Sequence, residues 1–196
     1  ASFLSQTKDP VDAMGGSIAQ SQTYASVLSA PRPLPELALV DQTGEPFGRT
    51  QLAGRWSLLF FGFTHCPDVC PTTLSDMRRL RKSLQDLPGT EQPNIVFVSV
   101  DPERDTPETI ASYLAFFDAA ATGLTGTLEA IEDLTGELGV AVAYLPDEEG
   151  TGYTVDHTAA LFAVNPNAEL AAIFVPPHNL EHMASDWRTI IAGAAR

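Results

Sequence analysis

The sequence predicts an α/β domain with a mixed central sheet flanked by helices, preceded by an N-terminal extension. The run from Trp56 to Phe61 is apolar and has the length of a buried strand. A helical repeat of apolar residues follows it, and a second strand-like run, rich in Val and Phe, covers 94–100. A strand, a helix and a strand in this order predict two parallel strands joined by a helix.

The first 30 residues are predicted to form a tail or a loosely packed extension. Ser, Gln, Ala and Gly dominate this stretch, which shows no clear periodicity. The segment Pro31–Pro35 is stiff and extended, and we place the domain boundary there. The sequence thus predicts an extension over residues 1–30 and one folded domain over residues 31–196, a length that is ample for a sizeable core.

In the first half of the domain, turn and cap signals separate the predicted elements. Residues 37–40 and the turn at 41–44 are typical of a hairpin arm. After the first central strand, a helix is predicted to begin at Pro71, because proline suits a first helical turn and disfavours a helical residue before it. Pro88 and Gly89 are expected to end this helix. Its core-facing side chains recur at helical spacing: Leu74, Met77, Leu80, Leu84 and Leu87.

The second half of the domain adds two helices, a hairpin and a closing helix. Thr106 is the predicted cap of a helix that runs to about Phe117, and Thr127 caps another that runs to Leu138. The remaining predicted elements are a strand at 140–145, an acidic loop at 146–152, hairpin strands at 158–164 and 169–175, and a helix at 180–194. This order fits a thioredoxin-like fold. Sites in such sheets collect at the carboxyl ends of strands, where the two cysteines lie.

The chain carries a large negative charge. Its 196 residues include 11 Lys and Arg against 25 Asp and Glu, which gives a net charge of −14. Nucleic acids and anionic membrane surfaces bind clustered cations, so this balance argues against both as partners. We attribute the acidity to solubility, and a cationic protein partner stays open. No apolar run approaches the roughly 18 residues that a membrane-spanning helix needs.

The two cysteines, Cys66 and Cys70, lie four positions apart, shortly after the first central strand. Two thiols so close together, in a chain with no other cysteine, indicate redox or metal chemistry rather than apolar packing. Both are expected on the loop that enters the helix at Pro71, where backbone N–H groups favour thiolates. The thioredoxin-type motif has two residues between its cysteines and this chain has three, so a plain disulfide oxidoreductase is less favoured. Thiolates select Cu(I), and thiolates with imidazole suit copper or zinc.

A third metal ligand is expected among the four histidines, and His157 is the best candidate. It lies just before the strand predicted at 158–164, and the neighbouring Asp156 could orient its ring or add an acceptor. The competing interpretation is a half-buried histidine at a strand end. His65 adjoins Cys66 but points to the opposite face of an extended chain, so we interpret it as a modulator of the site or as packing.

The other polar motifs receive structural interpretations. His178 and His182 are four residues apart, but Pro177 places His178 at or before the start of the last helix, and solvated side chains are favoured over a metal-binding pair. The segment from Asp101 to Pro107 follows the strand at 94–100 and is interpreted as turn and cap chemistry rather than as a catalytic loop. The three methionines are scattered and form no thioether cluster.

Four motifs lie in one order along the chain: FGFTHCPDVCP at 61–71, VSVDPERDTPE at 98–108, GLTGT at 123–127 and YTVDHT at 153–158. With them, the chain resembles the Sco (SenC) copper chaperones used in cytochrome c oxidase assembly, over about residues 34–191. The cysteine motif together with the distant Val155-Asp156-His157 is specific, whereas either alone would be weaker. The resemblance implies a thioredoxin fold.

The resemblance also implies that the protein binds one copper ion, as Cu(I) or Cu(II), through Cys66, Cys70 and His157. Asp68 and Asp156 are then expected beside these ligands, where they would orient them. The family delivers copper or reducing equivalents to the CuA site in the copper subunit of cytochrome c oxidase, and another copper chaperone is an expected donor. The implied location is the periplasm, with an inner-membrane anchor in an N-terminal segment absent from this chain, or the mitochondrial intermembrane space in a eukaryote.

Two other functions stay open on the same residues. A thiol–disulfide oxidoreductase would cycle Cys66 and Cys70 between dithiol and disulfide while acting on the cysteines of the oxidase copper subunit, so it is left open whether the protein is an enzyme. A copper or redox sensor would signal to a protein partner, with the acidic surface as its only support. Copper delivery and thiol exchange are not exclusive, because the thiols must be reduced to accept copper.

Overall fold

A mixed sheet of eight strands forms the centre of the protein. The computed structural model describes residues 23–147, 150 and 152–194. Its strands are β1 (Ser26–Pro33), β2 (Leu39–Asp41), β3 (Pro46–Phe47), β4 (Ser57–Gly62), β5 (Asn94–Ser99), β6 (Thr122–Gly126), β7 (Val142–Pro146), β8 (Tyr153–His157), β9 (Leu161–Val164) and β10 (Glu169–Phe174). The eight-stranded sheet has the order β1-β10-β9-β4-β5-β6-β2-β3, and β7 and β8 form a separate two-stranded sheet.

The middle of the sheet is parallel and its flanks are antiparallel. β4, β5 and β6 run parallel to one another, whereas β9 pairs antiparallel with β4 and β2 pairs antiparallel with β6. Every residue of β4 is buried, as expected for a strand covered on both faces. The predicted α/β class with a mixed central sheet is therefore confirmed.

In the part of the chain that the structure describes, four α-helices flank this sheet: α1 (Val69–Ser83), α2 (Pro107–Phe117), α3 (Leu128–Leu138) and α4 (Leu180–Ala194). α1 contacts α2 and α4, whereas α2 and α3 contact β6. Both predicted caps are confirmed, because the hydroxyls of Thr106 and Thr127 accept N–H bonds from Thr109 and Ala130 at 3.3 and 3.2 Å. None of the helices in the described residues is both long and apolar enough to cross a membrane.

The start of α1 differs from the prediction. The helix begins at Val69 rather than Pro71, so Cys70 lies in the first helical turn and only Cys66 remains in the preceding loop. Pro71 fits inside this turn because the first N–H groups of a helix have no intrahelical acceptor that proline would lose. The side chain of Cys70 is fully buried, and this packing outweighs the steric preference of a residue that precedes proline.

The sequence pattern does not predict β6 or β8. β6 contains two glycines and two threonines in five residues, and it is a strand because it pairs with β5 on one side and β2 on the other. β8 contains His157 as its last residue, whereas the prediction placed His157 just before a strand at 158–164. The next strand, β9, begins only at Leu161.

The sheet also begins before the expected domain boundary at residue 31. β1 pairs antiparallel with β10, so that Ser26 lies opposite Ile173 and Arg32 lies opposite Leu170. Prolines are tolerated here because β1 is an edge strand with one unpaired side. Residues 1–22 lie outside the described residues, so the predicted extension stays a prediction there.

We predict that Gly123→Ala destabilises the fold by about 1–3 kcal/mol, because it overpacks the contact between β6 and α2. A methyl group at Gly123 would overlap Cγ2 of Ile110 and lie 2.7 Å from Cδ1 of Leu114. Urea unfolding measures the change. Gly136→Ala in α3 is the matched control: nothing lies within 4 Å of an added methyl group there, and alanine should stabilise the helix by up to about 1 kcal/mol. Equal stability of Gly123→Ala and the unchanged protein would contradict this packing.

Candidate metal centre

The two cysteines lie side by side where β4 leads into α1. Cys66 is half-buried in the connecting loop, and Cys70 is fully buried in the first turn of α1. The backbone N–H of Cys70 donates to Sγ of Cys66 at 3.4 Å, and the side chains of the two cysteines hydrogen-bond to each other. Both cysteines are free thiols. A half-buried and a fully buried cysteine therefore meet at the carboxyl end of a central strand, which is the location that the sequence predicted.

Gly62, the last residue of β4, makes room for the buried thiol. A methyl group at this position would lie 3.0 Å from Sγ of Cys70 and 2.9 Å from the ring of Phe97. Its carbonyl accepts the N–H of Val100 at 2.8 Å, which continues the pairing of β4 with the chain beyond β5. The absence of a side chain at Gly62 thus lets Cys70 pack directly against the sheet.

His157 reaches the buried thiol from a different part of the chain. Its Nε2 lies 3.8 Å from Sγ of Cys70, and its Nδ1 lies 3.1 Å from the carbonyl oxygen of Thr158. A carbonyl accepts only, so Nδ1 carries the proton in the neutral ring and the lone pair of Nε2 faces the sulfur. The structure therefore brings Cys66, Cys70 and His157 together, although 87 residues separate Cys70 from His157.

Aromatic rings surround the imidazole of His157. Phe60 and Phe63 meet it edge to face, with ring centroids 6.3 and 6.0 Å away. Burial lowers the pKa of His157, and the hydrogen bond to Thr158 and the charge of Asp156 offset this only in part. The neutral ring, which is the form that binds metals, is thus favoured at neutral pH.

Burial has the opposite effect on the thiol. It raises the pKa of Cys70 well above the usual range of a cysteine, and the hydrogen bond with Cys66 raises it further. Thiolate is the form that attacks disulfides and binds metals. Cys70 therefore keeps its proton at neutral pH, so the predicted preference for a thiolate at the helix start is wrong for Cys70. The cause is that desolvation outweighs the favourable hydrogen bond with the backbone of Phe63, which lies before the helix.

Asp105 holds the loop that precedes Cys66. Its buried carboxylate accepts the N–H and the hydroxyl of Thr64 at 3.0 and 2.6 Å and the hydroxyl of Ser99 at 2.7 Å. The sequence analysis assigned Asp105 to a turn and missed this role. The available signal was its position in the loop that follows the second central strand, at the same sheet edge as the cysteines.

Asp101, in the same loop, contacts the strand that carries His157. Its buried carboxylate forms an ion pair with Arg104 and accepts the hydroxyl of Tyr153 at 2.7 Å. Arg104 also donates to the carbonyl oxygen of Tyr153 at 3.0 Å, and its guanidinium carbon lies 3.9 Å from the centre of the Tyr153 ring. The interpretation of this loop as turn chemistry alone is thus incomplete, because it also anchors β8.

The two predicted supporting carboxylates lie at the surface. Asp68 precedes α1 at the N-cap position, is exposed, and makes no side-chain capping bond. Asp156 points outward from β8, as expected from the alternation of a strand, and its charge raises the pKa of His157 less than burial lowers it. Their predicted roles beside a metal stay predictions.

The other three histidines have partners of their own. His65 is exposed, with Nδ1 3.2 Å from the hydroxyl of Thr64 and 3.9 Å from Asp105. Nε2 of His178 lies 3.1 Å from the carbonyl oxygen of Ala159, whereas the ring of His182 stacks on Tyr24 with centroids 3.8 Å apart. His178 and His182 therefore serve different contacts.

Within residues 23–147, 150 and 152–194, no group of three or more His, Cys, Asp or Glu side chains is placed so that it could hold a metal ion. Cys66, Cys70 and His157 are linked in pairs instead, sulfur to sulfur and sulfur to nitrogen. The donor types suit a soft ion, since one imidazole and two sulfurs are available. A metal would replace the proton of Cys70 and the contacts that the three side chains now make with one another.

Comparison with known proteins identifies relatives along most of the chain. The sequence pattern of the SCO1/SenC family matches residues 29–192. A Stutzerimonas stutzeri protein whose name proposes copper binding is 40% identical over 174 residues, which cover 88% of this chain and 83% of that protein. The human mitochondrial SCO1 homologue is 36% identical over 137 residues, which cover 70% of this chain and 46% of that protein. The chain therefore spans about half the length of this human relative.

The architecture agrees with the sequence match. The crystal structure of Arabidopsis thaliana ScoI with copper bound superposes with a TM-score of 0.76 and 28% sequence identity, over 81% of this chain and 98% of that chain. The thioredoxin-like fold expected from the order of elements is confirmed by this similarity. Since the family pattern covers both cysteines, the Asp101–Pro107 loop and β8, the chain belongs to the SCO1/SenC family.

Proposed function

We propose that this protein is a copper chaperone that binds one copper ion through Cys66, Cys70 and His157. The observation that carries the proposal is the 3.8 Å approach of Nε2 of His157 to Sγ of Cys70, because two donors of a soft metal site meet from distant parts of the chain. The copper-bound ScoI of Arabidopsis thaliana, which shares this fold, supports the choice of copper.

The surroundings of the three donors fit such a cargo. The imidazole is fixed by Thr158 with its free nitrogen toward the sulfur, so its orientation needs no change of tautomer. Cys66 is half-buried and leaves one side of the site open to solvent, which suits an ion that must arrive and leave. Phe60 and Phe63 cover the ring and limit the access of water to the buried donors.

The recipient that we propose is the copper subunit of cytochrome c oxidase, at its CuA site. Membership of the SCO1/SenC family supports this assignment. The mitochondrial name of the human relative and a SCO1/SenC lipoprotein of Bacillus anthracis, 25% identical with a TM-score of 0.69, support a location at a membrane, in the periplasm or the intermembrane space. The donor that we propose is another copper chaperone.

Copper titration tests the ligand set directly. We predict that the reduced protein binds one equivalent of Cu(I) per chain and that Cys70→Ser lowers the affinity by at least about tenfold, because it removes a thiolate donor. A competition assay with a chromogenic Cu(I) chelator measures both values. Unchanged affinity in the Cys66→Ser, Cys70→Ser double variant would refute copper binding at this site.

The histidine is tested by comparing two single substitutions. We predict that His157→Ala lowers the affinity for Cu(II) by at least about tenfold and lowers the affinity for Cu(I) less, because Cu(II) gains more from an imidazole donor. His182→Ala is the matched control, since that ring stacks on Tyr24 and should leave both affinities unchanged. X-ray absorption of the copper-loaded proteins should show the loss of one nitrogen ligand in His157→Ala alone. Equal behaviour of the two variants would count against His157 as a ligand.

A second candidate function, thiol–disulfide exchange, is favoured by the contact between the two thiols. Cys66 is accessible and Cys70 is buried beside it, which is the arrangement of an attacking and a resolving cysteine. The two functions are linked, because a disulfide between Cys66 and Cys70 would remove both sulfur ligands. Activity of copper-free His157→Ala on the oxidised copper subunit would support exchange as an independent function.

Alkylation with iodoacetamide distinguishes the two thiols. We predict that Cys66 reacts faster than Cys70 by at least about tenfold at neutral pH, because each unit of raised pKa removes tenfold of the reactive thiolate and Cys70 is also shielded. Mass spectrometry of peptides at early times measures the two rates, with the fully unfolded protein as the control in which the rates converge. Faster labelling of Cys70 would contradict the burial and the pKa assigned to it.

A further inference from the structure

We infer that Asp101, Arg104 and Tyr153 form a clamp that positions His157 opposite Cys70. This inference rests on the proposed role of His157 as a copper ligand. The three residues are positioning residues: they act on His157 through the strand that carries it. The clamp gives the polar loop after β5 a function that its sequence does not reveal.

The strand that carries His157 lacks the support that the central strands have. Among the strands of the described residues, β7 and β8 pair only with each other, and we call this two-stranded sheet the arm. Most of β7 is exposed, including Tyr144 and Leu145, which are 42% and 45% exposed. An element with so little burial depends on a few specific contacts for its place, because it opens locally at low free-energy cost.

The clamp supplies such contacts at the start of β8. Tyr153 makes three contacts with the loop. Its hydroxyl donates to Asp101, whereas its carbonyl oxygen and its ring both contact the guanidinium of Arg104. Arg104 also pairs with Asp101, so the three residues form a closed set. The hydroxyl of Tyr144 on β7 adds a bond to the carbonyl oxygen of Val100 at 2.6 Å, next to Asp101.

The geometry of a strand carries this constraint to His157. Residues 153, 155 and 157 share one face of β8, since side chains alternate along a strand. Val155 on this face is buried, whereas Thr154 and Asp156 on the other face are exposed. Tyr153 and His157 are four residues apart, or about 13 Å along the strand. With the clamp closed, β8 lies on the body and presents the ring of His157 to Cys70 at 3.8 Å.

The buried charge of Asp101 favours the arrangement in which β8 lies against the loop. Asp101 is completely buried, and a buried carboxylate is costly unless it is paired and hydrogen-bonded. Arg104 and Tyr153 are the side chains that pair with it, and Tyr153 reaches it only when β8 lies in place. Displacement of the arm therefore removes the hydrogen bond of Tyr153 to the buried carboxylate of Asp101.

The test compares two ion pairs of similar burial. Arg104→Gln breaks the clamp, and Arg81→Gln breaks the pair of Arg81 with the buried Asp118, which joins α1 to the residue after α2. In the first pair, the side chain of Arg104 is 27% exposed and that of Asp101 is 1% exposed. In the second pair, Arg81 is 24% exposed and Asp118 is 4% exposed. If Arg104→Gln acted only by lowering the stability of the whole fold, Arg81→Gln should have the same effect. Tyr153→Phe is a milder change that removes one hydroxyl, and it serves if Arg104→Gln does not fold.

The first readout uses the copper-free protein. Amide hydrogen exchange along β8 should be at least about tenfold faster in Arg104→Gln, and faster in Tyr153→Phe, with no change in Arg81→Gln. NMR contacts between the rings of His157 and Phe63, whose centroids are 6.0 Å apart, should weaken in the same two variants. Unchanged exchange and unchanged ring contacts in both clamp variants would overturn the clamp.

The second readout is a double-mutant cycle on Cu(II) affinity. Arg104→Gln should lower the affinity by about tenfold or more, and the same substitution in a His157→Ala background should have no further effect. An equal loss of Cu(II) affinity in both backgrounds would overturn the inference that the clamp acts through His157. If His157→Ala alone leaves copper affinity unchanged, the ligand assignment of His157 fails, and the copper-free exchange data still decide whether the clamp holds the arm.

Discussion

Two carboxylates buried in one short loop fix both halves of the site. Asp105 accepts two bonds from Thr64, which lies two residues before the first cysteine, and Asp101 accepts one bond from Tyr153, which starts the strand of His157. Charged groups are tolerated in an interior only when donors surround them, so each carboxylate forces its donors to converge. The loop from 101 to 105 therefore anchors both the segment that leads to the thiols and the strand that carries the imidazole.

This arrangement depends on the parallel pairing of β4 and β5. Gly62 ends β4 and Ser99 ends β5 directly opposite it, so the chain leaves both strands at one edge of the sheet. The segment after β4 provides Cys66 and Cys70, and the segment after β5 provides both buried carboxylates. The buried centre of the sheet thus carries Cys66 and Cys70, whereas His157 lies on the two-stranded arm. Such a division suits the copper chaperone that we propose, which would hold an ion and also release it.

Local signals in the sequence predict much of this structure. The helix caps at Thr106 and Thr127, the buried strand β4 and the thiol pair all follow from patterns within a few residues. Contacts across the chain do not follow from such patterns: 41 residues separate Thr64 from Asp105, and 52 separate Asp101 from Tyr153. β6 shows the same limit, because a segment rich in glycine and threonine becomes a strand only when β2 and β5 offer it partners. His157 could be selected from its motif, but the side of β8 on which its ring lies and the contacts of the clamp depend on the tertiary fold.

The protonation states of the site explain how a strongly acidic protein can present neutral donors. Burial raises the pKa of Cys70 and lowers that of His157, so both groups are uncharged despite a net charge of −14 on the chain. The acidic surface attracts cations without distinguishing among them, whereas the ligand set that we propose, two sulfurs and an imidazole, suits soft ions. If Cys70 ligates copper as we propose, the metal must displace its proton, and this cost is the same for every metal ion; the preference for copper then comes from the softness of the sulfur donors.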